Sequence, residues 1–261
     1  MPFTFVHPAV FIPLKEKWKK YFNLTGLVLG SMAPDFEYFL KFKPSAVIGH
    51  SVLGFMMLNL PLCFLIAFLF HKFIKRPLIL SMLSPFDRWF YYMAQKEWKI
   101  NSFKAVLIFI YSSLIGMISH VFLDAFTHES GRFVEILTVL STNLHMFGYS
   151  VPVYKILQHG CTVIFGIAII IYMIHLRDKK ARVSSIPTIN KLVYFSSILL
   201  AGVAFVLIGM LFSFVDLSFT NRGIAVVTFI NGCIFGCITM SLIYLKYLKR
   251  VYLNQDEGIN I

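Results

Sequence analysis

Five stretches of the chain are apolar for long enough to cross a hydrocarbon layer, and each ends at charged or polar residues. A bilayer core of ~30 Å needs about 20 mostly apolar residues in a helix. Val47 to Phe73, Phe103 to about Asp124, Leu192 to Val215 and Gly223 to Leu245 satisfy that length, and Gly160 to Leu176 is short but free of charge. The N-terminal region reads differently. Phe5 to Phe22 is apolar early and lysine-rich late (Lys15, Lys17, Lys19, Lys20), the profile of an amphipathic helix. Leu24 to Phe42 is apolar but interrupted at Gly30-Ser31 and Pro34. Proline suits the first turn of a helix, where its missing N–H has no partner in any case. The spacing therefore predicts two short helices, 24–30 and 34–42, with a backbone break between them. Such breaks persist at membrane depth only where protein buries them or where they line a cavity, which makes Ser31 to Asp35 a site candidate. The predicted fold is all-α: a multi-span transmembrane helical bundle of about five full spans plus an N-terminal re-entrant or broken helical hairpin. Residues 1–176 form the site-bearing core and residues 177–261 two C-terminal spans.

Composition agrees. Of 261 residues 58% are hydrophobic and 14% charged, where soluble domains carry about a quarter charged. Lipid is the solvent such a surface requires. The net charge of +12 would suit nucleic acid, but the basic residues flank apolar runs, which is the topology signal of membrane proteins, so no nucleic-acid partner is expected. With residues 1–42 folded as a re-entrant hairpin, all of the 24 Lys and Arg except Lys41, Lys43, Arg132, Lys155 and Arg222 fall on one side. The positive-inside rule makes that side cytoplasmic. Met1 to Val10 has no basic start and is interrupted at Pro8, so a cleaved signal is not expected. The expected setting is a bacterial cytoplasmic (inner) membrane, with the lipid bilayer as partner. Cys63, Cys161, Cys233 and Cys237 all lie inside apolar stretches and read as small packing residues, although the last two stand one helical turn apart.

The chemistry concentrates at the end of the second span. His120, Asp124 and His128 follow one another at i, i+4 and i+8, which on a helix keeps them within about 80° of one face. A carboxylate on a lone helix at the bilayer centre costs roughly 2.5–3.5 kcal/mol, so Asp124 requires a compensating partner. Two imidazoles and a carboxylate on one face suit zinc or a similar divalent ion; a polar face lining water is the alternative. Topology adds His7, Asp35 and His50 in the same outer half of the membrane. His7, Asp35, His50, His120, Asp124 and His128 thus form the candidate ligand set, sufficient for one or two ions. Glu37 and Glu129 stand nearby as bases or supporting partners. With no cysteine and surplus ligands, the set points to an open catalytic site at which an ion activates water rather than to a closed structural one. His159 and Gln158 are candidates for supporting or substrate contacts, His145 for a loop, and His71 and His175 for the inner interface.

These residues carry a resemblance. Met-Pro-Phe-Thr-Phe-Val-His-Pro at 1–8, Gly-Ser-Met-Ala-Pro-Asp-Phe-Glu-Tyr at 30–38, Gly-His-Ser at 49–51 and Ser-His-x-x-Leu-Asp-x-Phe-Thr-His at 119–128 closely resemble the bacterial membrane family called domain of unknown function 4184. That family implies kinship without an activity. More distantly, the order His, Pro-Asp, His, His-x-x-x-Asp, His is similar to the zinc-dependent phospholipase C fold and to membrane-bound metal-dependent hydrolases. By that resemblance Asp35, His50, His120 and Asp124 hold one ion, Asp124 bridges to a second held partly by His7, and His128 matches a ligand of a third. The later His-x-x-x-Glu that completes the third site is missing here, and His7 stands in place of a free amino terminus, so one or two ions are expected.

The function expected from this is a membrane-embedded metal-dependent hydrolase acting on a lipid-like ester or phosphoester, with zinc as cofactor and Asp35 or Glu37 as proton acceptor. Its site would face the outer leaflet. The rivals are a non-enzymatic transporter or ion-binding protein, whose midplane polar residues look similar, and a membrane protein with a merely stabilising metal.

Overall fold

The computed structural model describes residues 4–18, 20–45, 47–146, 148–178, 186–216 and 222–257; Lys19, Lys179, Lys180 and Arg182 of the charge count lie outside them. The principal helices are α1 (Leu24–Met32), α2 (Val52–Ser81), α3 (Phe103–Thr127), α4 (Val153–His175), α5 (Thr188–Leu211) and α6 (Arg222–Glu257). Among the described residues, five helices are long and apolar enough to cross a membrane, beginning at Val52, Phe103, Val153, Thr188 and Arg222. The chain is an integral membrane protein of all-α architecture. A short antiparallel hairpin between α3 and α4 was not expected: β1 (Asn143–Met146) pairs with β2 (Tyr149–Pro152) around Gly148, whose φ of 80° suits glycine.

Cα packing divides the chain into two compact units. The first comprises Met1–Glu37, Ala46–Ala67 and Lys99–His175, the second Tyr38–Ser45, Phe68–Trp98 and Leu176–Ile261. α2 begins in the first and ends in the second.

In the first unit the expected amphipathic helix is instead a 3-10 helix, Thr4–Phe11, followed by a short α-helix, Ile12–Lys17. Pro8 offers no N–H for an α-helical bond, and the tighter turn tolerates the loss. The chain then reverses, and Asn23 caps α1 by accepting from the Gly26 N–H at 3.0 Å. Pro34 does not break the backbone. Ala33–Asp35 is a 3-10 turn joining α1 to the helix Phe36–Lys41, so the chain stays helical from 24 to 41 with Asp35 buried. A turn tightened from α to 3-10 keeps the chain right-handed helical while placing Pro34 in the first turn of the new segment.

α1 lies against α3, backbone on backbone. A Cβ at Gly30 would stand 2.1 Å from the Ser113 carbonyl oxygen, and one at Gly116 would stand 2.5 Å from the Ser31 nitrogen. Small residues at such a contact are how helices approach in lipid, where apolar burial drives nothing. The buried stripe of α3 is accordingly small and polar as much as apolar: Ser112, Ser113, Gly116, His120, Asp124 and Thr127, while Ile118 and Phe122 face outward.

α2 starts later than expected, at Val52, because Ser51 caps it by accepting from the Gly54 N–H at 2.9 Å. Two π turns, Phe55–Asn59 and Phe70–Ile74, widen it. Each contains the residue four before a proline, Met57 before Pro61 and Phe73 before Pro77. The proline ring would clash with that carbonyl in a regular α-turn.

In the second unit α5 and α6 pair closely through Gly202, Gly232 and Gly236. Tyr194 and Tyr244 fill a core with Leu80, Phe90 and Ala94. Lys191, expected in an interfacial loop, is buried in the first turn of α5 and forms an ion pair with buried Asp87. His71 stacks flat on Trp98, with ring centroids 4.7 Å apart.

Candidate metal centre

α3 delivers His120 and Asp124 one turn apart onto its buried face. The His120 Nδ1 stands 2.7 Å from the Ser31 carbonyl oxygen. A carbonyl only accepts, so Nδ1 carries the proton and Nε2 is left to face the cluster. There it stands 3.2 Å from Asp124 Oδ2 and 3.6 Å from Asp35 Oδ1.

Asp35, at the end of the 3-10 turn, is fully buried. Its Oδ2 accepts from Thr4 Oγ1 at 2.5 Å, and its Oδ1 faces the two imidazoles of His120 and His50. Oδ2 is thus committed to Thr4, while Oδ1 faces the two imidazoles without a hydrogen bond. Burial pushes its carboxyl up, but the interactions with His120 and Thr4 outweigh that and hold it below the usual carboxylate range.

His50 does not begin a helix as expected; it sits in the loop before α2. Glu37 holds that loop, its Oε2 accepting from the Val47 N–H at 2.9 Å and the Gly49 N–H at 2.8 Å. The amide of Asn59, in the first π turn, donates to the Gly49 carbonyl at 2.7 Å. A Cβ at residue 49 would stand 2.3 Å from the Pro34 carbonyl oxygen, so glycine is required there. The loop presents His50 Nε2 at 3.4 Å from Asp124 Oδ2 and 3.8 Å from Asp35 Oδ1. Glu37 thus braces the loop of His50, one carboxylate oxygen holding two backbone N–H groups.

His7 stacks on His120, centroids 4.2 Å apart, and a ring nitrogen lies within 4.8 Å of the donor atoms of His120 and Asp124. Burial pulls its imidazole down to about 4, leaving a neutral ring with a lone pair to offer. His128 departs from the expected helix face. α3 ends at Thr127, and His128 is an extended cap whose Nδ1 lies 3.2 Å from the Asp124 carbonyl oxygen and 3.4 Å from Oδ1. It joins neither three-residue group of donors that converge within 4.8 Å, which are His7, His120, Asp124 and Asp35, His50, His120. Glu129, His145, His159 and His175 are exposed, whereas Gln158 is buried.

Among the described residues, buried polar atoms without a hydrogen bond gather here: both nitrogens of His7, Asp35 Oδ1, His50 Nδ1, His120 Nε2 and Asp124 Oδ1. Natural proteins rarely leave such atoms unsatisfied, and each one calls for an explanation. The sequence marks Ser31 within the candidate segment but gives Thr4 and Asn59 no role as supports. Asn59, an amide within an apolar span, was the one legible signal; Thr4 and the Ser31 carbonyl offered none.

No curated protein and no solved structure matches the chain. The family model described as domain of unknown function DUF4184 matches residues 1–242, so the chain belongs to that family.

Proposed function

We propose that Asp35, His50, His120 and Asp124 hold a divalent ion, zinc by its donor chemistry, and that the chain is a membrane-embedded metal-dependent hydrolase of a lipid-like ester or phosphoester. One observation carries the reading. The four donor atoms Asp35 Oδ1, His50 Nε2, His120 Nε2 and Asp124 Oδ2 are separated, histidine to carboxylate, by 3.2, 3.4, 3.6 and 3.8 Å. A tetrahedral zinc with bonds of about 2.0–2.2 Å sets its donors about 3.3–3.6 Å apart, a range these four distances bracket. The His120 tautomer supports it too, since a ligating histidine commonly gives its other N–H to a backbone carbonyl. His7 and the second oxygen of Asp124 supply donors for a second ion.

When bound, the ion would polarise the scissile oxygen and acidify a water. Thr4 and Ser31 hold Asp35 and His120 in place, and Glu37 and Asn59 hold the loop of His50. His128, at the rim and 28% exposed in its side chain, is the group placed to take and return a proton through Nε2. The rim of His50, Asp124 and His128 is the partly open side, and a substrate would enter there. The basic-residue asymmetry assigns that side to the outer leaflet of a bacterial cytoplasmic membrane, where an amphiphile is the accessible substrate class.

The test is elemental analysis of gently purified protein, wild type against Asp124→Asn, with lipid extracts of overproducing cells compared by mass spectrometry. One or two ions per chain are expected in wild type and few in the variant, together with a lipid consumed only by wild type. Wild type free of metal would end the proposal. Bound metal with unchanged lipids, and metal-driven solute uptake by vesicles, would transfer it to a transporter.

A further inference from the structure

A second polar feature of the first unit lies at the opposite end of α3 from the His and Asp cluster. A groove of about 720 Å³ opens between the reversal after Lys17 and the start of α3. Lys20, Tyr21, Lys104 and Tyr111 supply its polar groups, and no acidic side chain lines it among the described residues. Leu107 and Ile108 continue it with apolar surface.

Its polarity runs in a definite direction. α3 begins at Phe103, where the second span enters the membrane, so Lys104 lies at headgroup level. Tyr111 is seven residues further on, about 10 Å deeper along the helix axis. Along α3 the groove is therefore cationic at Lys104 and mostly apolar below it, in the same order as a phospholipid. Both lysines are exposed, and the ammonium of Lys20 lies 5.2 Å from the Tyr21 ring. The wall is fixed rather than a loose tail: the Asn23 N–H donates to Ser112 Oγ at 3.0 Å, and Phe22 meets Tyr111 edge-on at 5.9 Å.

We propose that this groove binds an anionic glycerophospholipid, its phosphate held between Lys20 and Lys104 and an acyl chain lying along Leu107 and Ile108. Two lysines lining one groove that no acidic side chain lines among the described residues complement a phosphate. The lysine stems cover apolar surface while their ammonium groups stay at the interface. The apolar floor distinguishes a lipid from a free anion, which would have no use for it. This site is independent of the proposed metal centre and survives if that reading fails.

The experiment is native mass spectrometry of the full chain, titrated with phosphatidylglycerol or with phosphatidylcholine of the same acyl chains. Inorganic phosphate serves as the soluble probe. Phosphatidylglycerol is expected to bind saturably and more tightly than phosphatidylcholine. Replacing one lysine near an anionic lipid surface weakens attraction about fivefold, so the double variant Lys20→Gln, Lys104→Gln should weaken binding roughly 25-fold if the two act independently. The charge-matched variant Lys96→Gln, Lys246→Gln, which removes two exposed lysines from outside the groove, should leave binding unchanged. Equal binding of the two lipids would overturn the proposal. Equal losses in both double variants would also overturn it, by showing that general basicity is responsible. Inorganic phosphate competing as well as the lipid would replace the lipid site with a free-anion site.

Discussion

Gly116→Ala tests whether the approach of α1 to α3 sets the geometry of His120. A Cβ at 116 would stand 2.5 Å from the Ser31 nitrogen and 2.7 Å from the Gly30 carbonyl carbon. Ordinary contact is about 3.5–4.0 Å, so the helices must part locally by roughly 1 Å. The clash falls on Ser31, the residue whose carbonyl oxygen holds His120 Nδ1 at 2.7 Å. Added to that bond, the displacement gives about 3.7 Å, beyond hydrogen-bond reach. Losing such an orienting partner typically costs 10–100-fold in metal affinity, so a zinc affinity lower by about that factor is expected. Overpacking should also cost about 1–3 kcal/mol of stability. The assay is competition for zinc against a fluorescent chelator, on protein shown to be helical and monodisperse, with thermal unfolding alongside. Gly160→Ala, where nothing lies within 4 Å of the added carbon, should be neutral in both. Wild-type zinc affinity in a folded Gly116→Ala protein would refute the link between helix approach and site geometry.

Glu37→Gln should lower stability by about 1–2 kcal/mol, because an amide oxygen replaces a charged acceptor of two N–H groups. Hydrogen exchange at Val47 and Gly49 should quicken, and unchanged protection there would show that the brace is idle. Asp87→Asn leaves the buried Lys191 ammonium without its anion and should destabilise by about 3–5 kcal/mol. A melting temperature equal to wild type would place that pair in water instead. For topology, a cysteine at Lys96 should be shielded from an impermeant thiol reagent in intact cells, and one at Arg132 labelled. The reverse pattern would move the candidate site to the cytoplasmic leaflet.

The chain's sequence determined its solvent, its spans and the identity of its reactive groups. A run such as Leu192 to Val215 can be buried only in lipid or a large core, and the charge punctuation of the other runs selects lipid. His7, Asp35, His50, His120 and Asp124 were legible because ionisable groups within apolar segments are costly wherever they lie, and therefore visible. Helix ends were less so: α4 starts at Val153 rather than Gly160, since Lys155 and Gln158 interrupt the apolar pattern without interrupting the helix. His128 was misplaced for a similar reason, because i+8 periodicity assumes a helix that here ends one residue earlier, at Thr127.

Only the tertiary structure decided what those groups do to one another. Glu37 and Asp35 are two residues apart and chemically alike, yet one braces backbone N–H groups ten and twelve residues away, while the other faces imidazoles from a loop and a distant helix. Lys191 looked like an interfacial cation until Asp87, 104 residues earlier in sequence, was found against it. The tautomer of His120 depends on a carbonyl 89 residues distant. Periodicity and hydropathy report what a residue needs from its solvent. Which partner satisfies that need is set by contacts between remote segments, and local pattern carries no record of them.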